Sequence, residues 1–352
     1  MISKFRYFLI LAACTLTMSC TQPPGQAERP DPVELPEESL KLNFLRFEKE
    51  LMNLPRPVDT SGIRQLRERY GDFLEIWCTQ LSGLLPTGPG KPPDRVIADN
   101  LEQYLSDRYM GEVFRDCSKE YENTGWLEEE LAAVFSRYQI AFPGKKIPAI
   151  ATYVSPFTSN VITMDTLLGI GLHFYLGSGY KYYPSLQLPG YMMKKMSREY
   201  IVKDLVKGWL DSDYLDDTSR KDCISQMIYQ GKTLYAMDVL SPKTPDTIKT
   251  GYSVNQLEWA YRNEARIWGF FIEQQLLFNT NPKVYIKYIH DGNTTQGFPK
   301  EAPARLGAFI GWQVVRSYMK NNPRLTLKEL FEQKDAAKIL NGSSYKPRKP
   351  ES

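Results

Sequence analysis

Apolar positions along this chain keep one period at first, change it in the middle, and then return to it. From Ser61 to Leu85, Ile63, Leu66, Tyr70, Phe73, Leu74, Trp77 and Leu81 recur every three or four residues, which predicts a helix with one buried face. The Pro/Gly cluster Pro86 to Pro93 ends it in a loop. Two or three shorter helices follow. The last runs from near Thr124 to about Ala141, with Glu128, Glu129 and Glu130 in its first turns and Pro143-Gly144 as its stop.

From Lys146 the spacing changes. Ile147 to Val154, Asn160 to Met164 and Leu168 to Leu176 are short, rich in β-branched or aromatic residues, and bounded by Pro, Ser, Asp or Gly. They read as strands of a small sheet. Gly169, Gly171 and Gly177 weaken the last strand or mark close approach of another backbone. Helical spacing then returns over Ser197 to Asp211, Ser219 to Asp238, Ser253 to Phe278 and Ala304 to Lys320, followed by a polar tail. No repeat at solenoid spacing is present. The pattern predicts a mainly α protein with a small central β-sheet, an α+β fold. A single globular domain spans 39–345, and 346–352 form a flexible tail.

The N-terminus has a different logic. Lys4 and Arg6 precede the apolar stretch Tyr7 to Ala13, which is far short of the ~20 residues a membrane-spanning helix needs. Residues 1–19 therefore read as a signal peptide. Leu16-Thr17-Met18-Ser19-Cys20 resembles a bacterial lipobox, with Leu16 or Thr17 in place of the usual leucine. The plainer alternative is an ordinary signal with a chance cysteine. The Pro-rich run Thr21 to Pro36 favours the lipid, because it cannot bury enough apolar surface to offset ordering. Residues 20–38 thus read as a lipidated Cys20, carrying palmitate-like acyl chains, and a disordered tether. No acidic run follows the cysteine, so the anchor is expected to face the periplasm, on either the inner or the outer membrane.

Composition narrows the class. Apolar residues make up 42% and aromatics 12%, enough for a real core. The formal charge of +3 falls to +1 when Lys4 and Arg6 leave with the signal. No basic stripe suits nucleic acid. Cys78, Cys117 and Cys223 form no CxxC pair. One disulfide among them is compatible with an oxidising compartment, but each reads more simply as a small buried apolar residue.

No catalytic set stands out. His173 and His290 lie in separate segments, whereas a zinc protease of the HExxH type needs two histidines one turn apart. A histidine in an apolar strand, as at His173, reads as packed and hydrogen-bonded. Asp211, Asp213, Asp216 and Asp217 read as a solvated loop. GxSxG and P-loop patterns are absent. Cys223 has no histidine near it, and Glu258 and Glu264 sit six residues apart. No metal and no cofactor are expected. What is dense is tyrosine: Tyr175, Tyr180, Tyr182, Tyr183, Tyr191 and Tyr200, beside Phe174. These are core and rim, or they line a groove that stacks on a peptide or glycan.

Longer stretches carry a resemblance. TMDTLLGIGLHFYLGSGYKYYP (Thr163 to Pro184), LPGYMMKKMSREYIVKDLVKGWL (Leu188 to Leu210), MIYQGKTLYAMDVLSP (Met227 to Pro242), GYSVNQLEWAYRNEARIWGFFIE (Gly251 to Glu273) and RLGAFIGWQVVRSYM (Arg305 to Met319), with the terminal SSYKP, are similar in one consistent order to the gliding-motility lipoprotein GldB of Bacteroidetes. That family is in turn similar to predicted zincin-type proteases, in which one helix carries HExxH and a later one an EG motif. The resemblance implies a degenerate zincin-like domain. Ser197 to Asp211 holds no histidine, and Gln230 precedes Gly231 where the motif has Glu. Both departures imply a lost metal site, hence a pseudo-protease.

The expected function is a membrane-anchored, non-catalytic lipoprotein that acts by protein contact in the cell envelope, in gliding motility or as an accessory to type IX secretion. Its partners would be envelope proteins, and its binding groove would include Tyr180, Tyr182, Tyr183, Tyr191 and Gln230. The alternatives are a periplasmic glycan- or peptide-binding lipoprotein and a metal-dependent hydrolase with an unrecognised site. The sequence sets no oligomeric state.

Overall fold

The computed structural model describes residues 30–35, 40–214 and 221–347. The signal segment, Cys20, most of the tether, Asp216, Asp217 and the last five residues lie outside the described residues.

Four strands form one mixed sheet: β1 (Phe44–Arg46), β2 (Ala149–Tyr153), β3 (Val161–Thr163) and β4 (Leu167–Gly171), in the order β1-β2-β4-β3. β1, β2 and β4 run parallel, with Ile150 opposite both Phe44 and Leu168, and β3 closes one edge antiparallel to β4. β2 and β4 sit in the middle, covered on both faces. Their sequences are accordingly near-continuous apolar runs instead of alternating ones. Of the three glycines, Gly171 meets the expected close approach of backbone, since a Cβ there would stand 2.6 Å from the Ser159 carbonyl oxygen. Gly169 is crowded by the Tyr153, Ile162 and Phe73 side chains instead, and Gly177 has open space around it and a φ of +96°.

Helices α1 (Phe47–Met52), α2 (Thr60–Tyr70), α3 (Asp72–Ile76), α4 (Asp94–Ser106), α5 (Arg108–Glu120) and α6 (Gly125–Ala141) precede β2, with a π-helical turn at Trp77–Leu81. After the sheet come α7 (Gly190–Met193), α8 (Ile201–Tyr214), α9 (Cys223–Leu240), α10 (Asp246–Thr250), α11 (Val254–Arg262), α12 (Glu264–Glu273), α13 (Pro282–Ile289), α14 (Leu306–Asn321), α15 (Leu327–Glu332) and α16 (Ala336–Ser343).

The α+β architecture is the one the periodicity predicts, with local differences. The strand expected over Leu168 to Leu176, for one, gives way after Gly171 to a 3₁₀ turn at Leu172–Phe174. The helix expected over Ser61 to Leu85 breaks at Gly71, whose φ of +54° ends α2. The break turns Phe73 and Trp77 onto Phe47 of α1, with ring centroids 5.3 and 5.2 Å apart, and the Trp77 indole donates to the Val154 carbonyl beside the sheet. The segment Ser253 to Phe278 is two helices. They part at Asn263, whose side-chain amide donates to the Trp259 carbonyl and competes with the ladder. β1 lies ahead of the first segment in which the period was read, because a three-residue strand carries no period of its own and forms through its partner β2. The polar tail after Lys320 is instead α15 and α16. Thr326 and Glu329 form a capping box and Asp335 caps the second helix.

The principal helix pair is α9 against α14. Both are buried nearly all round, as a helix apolar on every side requires. They touch through backbone. A Cβ on Gly311 would stand 1.8 Å from the Met227 carbonyl oxygen, and one on Gly231 would stand 2.3 Å from the Gly311 carbonyl group. Pro30–Leu35, inside the stretch read as tether, lies along the domain, with the Arg137 guanidinium donating to the Val33 carbonyl at 2.9 Å.

Candidate functional site

The tyrosines chosen from sequence do not gather in one groove. Tyr183 is fully buried; its hydroxyl donates to the His173 carbonyl and accepts from the Leu176 amide, both at 2.9 Å. Tyr180 donates to Asp116 and Tyr182 to Glu112, both on α5, and Lys181 pairs with the same two carboxylates. Hydrogen bonds from Tyr182 and Lys181 hold the Glu112 carboxyl down at about 2. Tyr180 and Tyr182 fasten the segment after the sheet to α5, and Tyr183 ties it back to the turn that follows β4. Tyr191 stands elsewhere, in the wall of a cleft, and Gln230 lies beneath that cleft, bonded to Arg305.

His173 is packed and hydrogen-bonded as expected, although the strand read over Leu168 to Leu176 stops at Gly171 and the ring sits in the 3₁₀ turn Leu172–Phe174 that follows. Its Nδ1 accepts from the Ser155 amide and its Nε2 faces the Ser155 hydroxyl, both at 3.2 Å. Burial pushes its pKa down to about 3, so the ring is neutral. His290 is exposed at the end of α13. Among the described residues no three His, Cys, Asp or Glu side chains converge as a metal-binding group. Asp211 accepts from Tyr229, and Asp213 accepts from Tyr138 and pairs with Lys145. Glu264 accepts from Tyr345 at 2.7 Å, whereas Glu258 lines the cleft. Cys78, Cys117 and Cys223 are free and buried. Burial raises all three thiols, Cys78 and Cys223 to about 12.

The cleft encloses about 680 Å³ between α7, the start of α8, α11 and the loop joining α13 to α14. Four aromatic residues, Tyr191, Tyr200, Tyr252 and Trp259, contribute to its wall. At one end Lys195 donates to Asp291 at 2.8 Å, and Arg305 pairs with the same carboxylate at 3.8 Å. Arg305 precedes α14 in the left-handed conformation, with φ +61°, which costs a non-glycine residue roughly 1–2 kcal/mol. Its guanidinium reaches back to Gln230 at 3.0 Å. Lys195 lies along Gly251, whose φ of +75° and missing Cβ both matter: a Cβ there would meet the lysine stem at 2.7 Å.

This end of the cleft holds more positive charge than it neutralises. Burial lowers the Lys195 pKa despite Asp291, and Arg305 and Lys203 push it the same way. Burial would raise the Asp291 carboxyl, but Arg305, Lys195 and Lys203 together hold it below the usual carboxylate range. Sequence reasoning found Tyr191 and Gln230 but missed Lys195, Asp291 and Arg305. These three come from separate segments that only the fold joins. The Asp291-Gly292 turn before a long apolar helix was the one local hint.

The family model described as gliding motility protein GldB matches residues 28–347 of the chain. No curated protein and no solved structure matches it. Among the described residues no helix is long and apolar enough to cross a membrane.

Proposed function

The chain belongs to the GldB family of gliding-motility lipoproteins, and from that premise we propose that it works by binding, as a lipid-anchored component of the envelope machinery that drives gliding. In this reading the lipid on Cys20 sets where the protein is held, facing the periplasm, and the cleft beside α14 is the surface that meets a partner protein. Accessory service to type IX secretion is the same reading one step further.

The observation that carries it is the chemistry of the cleft. Aromatic walls supply contact area at low entropic cost, and the floor places two cations on Asp291 beneath them. The zincin kinship would put a dication among negative ligands near Gln230, yet Gln230 bonds to the Arg305 guanidinium. A cation at that position opposes a second one. That opposition to a dication supports binding as the role of the site.

A gliding strain lacking this gene tests the reading. Wild-type chain is expected to restore colony spreading; Cys20→Ser, and Tyr191→Ala combined with Lys195→Met, are expected not to, at equal protein level. Full spreading with the cleft variant would remove the cleft from the function. The four aromatics equally suit a glycan, and loss of partner capture with retained oligosaccharide binding would favour that alternative.

A further inference from the structure

We propose that the Lys195–Arg305 end of the cleft receives a side-chain carboxylate from an acidic peptide segment of the partner. The inference rests on the cleft being a recognition surface and adds the chemistry it selects.

Charge balance comes first. Lys194, Lys195, Arg262, Lys300 and Arg305 line the cleft against Glu258, Asp291 and Glu301, so its lining carries five cations and three carboxylates. The carboxylates do not finish the work of the buried cations. Arg305 is only 9% exposed, yet among the described residues its guanidinium makes one hydrogen bond, to Gln230, and one long ion pair with Asp291. A guanidinium offers five N–H donors. Among the described residues its other donors have no hydrogen-bond partner, and Arg305 is part of the cleft lining. Lys195 shares Asp291 with it and is held there by Gly251.

The site is also built at a cost. The chain holds Arg305 in a left-handed conformation that glycine or asparagine would adopt more readily. Backbone strain of this kind persists where surrounding structure enforces it, and it marks places where a side chain must be aimed. What is aimed here is a planar fork that matches a carboxylate.

A peptide suits the rest of the cleft better than a glycan does. Two lining residues have large apolar neighbours standing in solvent: Met192 beside Tyr191 is 42% exposed and Val254 beside Ser253 is 62% exposed. Neither of these two side chains is part of the cleft lining, but the wall itself is aromatic, with Tyr191, Tyr200, Tyr252 and Trp259. It fits a segment in which acidic and apolar residues alternate: carboxylates for the cationic end, apolar side chains for the rings. A uronic-acid glycan would satisfy the cations and offer the rings only its sugar faces.

Calorimetry with the full-length chain in detergent tests this. The probes are a terminally blocked hexapeptide of alternating Glu and Leu, its Gln counterpart, and an oligogalacturonate. The Glu peptide is expected to bind saturably, about tenfold or more tighter than the Gln peptide, and more weakly as salt rises. Lys195→Met is expected to abolish the Glu preference, Lys195→Arg to retain it, and Lys328→Gln, on α15, to leave it unchanged. Equal binding of the two peptides, or saturable binding of oligogalacturonate alone, would overturn the proposal. So would the absence of saturable Glu-peptide binding into the millimolar range. Failure here together with a spreading defect in the cleft variant would leave the broader binding role standing and remove only the acidic peptide.

Discussion

Two clusters of charge lie on either side of the start of α14, and they handle burial in opposite ways. Inside, Asp238 of α9 accepts from Lys249, Arg316 and the Trp312 indole, each at 2.8 Å, and Asp246 takes a second bond from Lys249 at 3.3 Å. Lys249 is fully buried, and the Arg316 guanidinium stacks 3.5 Å from the Trp312 ring. Two carboxylates meet two cations, and the charge closes. At the cleft, Lys195 and Arg305 share Asp291, whose side chain is 46% exposed, and positive charge is left over. Closed charge in a dry interior holds helices in register; open charge beside water is available to a ligand. The same residue types therefore serve architecture in one place and recognition in the other.

The sharpest way to break this contrast is Asp238→Ala. It takes the closer carboxylate from both buried cations, leaving them longer contacts with Asp246 and Tyr261, and strips the Trp312 indole of its acceptor. Removing one member of a buried pair costs about 3–5 kcal/mol. Urea unfolding should show a midpoint shift of that size, or no folded protein. A loss under about 1 kcal/mol would mean that water reaches Lys249 and Arg316, and that the interior cluster is no different from the cleft.

His173 tests the interior by another route, because here the chain discards the charge instead of pairing it. Its folded pKa of about 3 lies below the ordinary 6.5. A depressed imidazole leaves the unfolded chain holding more protons between those values, so stability is full above pH 6.5 and falls as pH drops toward 3. By pH 4 the loss from this group is about 3 kcal/mol. His173→Gln should flatten that share of the pH dependence, measured as the difference in unfolding free energy between pH 7 and pH 4. Parallel pH curves for wild type and variant would mean the ring is not the buried neutral group its surroundings imply.

Legibility followed the same division. The helices and the sheet were readable because each carries its own period. His173 was readable because apolar surroundings leave a polar ring little choice, even though it sits in the turn after β4 and not in the strand itself. β1 was not, since three residues have no period, and α15 and α16 were obscured by polar composition although Thr326 and Glu329 spelled out a cap. Gly231 was visible but its reason was not. Read beside Gln230 it looked like the remnant of a metal motif, whereas in the fold its missing Cβ lets α14 touch α9 backbone to backbone. The cleft was the least legible part. Lys195, Asp291 and Arg305 lie about a hundred residues apart at the extremes, and no local pattern announces that they meet.

Arg305→Asn separates the two kinds of cluster with the smallest stability effect. Asparagine tolerates the left-handed conformation, so the substitution relieves about 1–2 kcal/mol of backbone strain. Against this it removes the hydrogen bond to Gln230 and the long ion pair to the half-exposed Asp291 carboxylate, together worth about 1–2 kcal/mol. The terms oppose each other, and unfolding free energy should stay within about 1 kcal/mol of wild type. Discrimination between Glu and Gln peptides should vanish all the same, because the aimed guanidinium is gone. A fall in stability above about 2 kcal/mol would place Arg305 with Asp238 as a structural charge, and the strain at residue 305 would then need another cause. Unchanged stability with lost discrimination would mean that the fold tolerates a strained backbone at this one position in order to hold a cation where a partner can reach it.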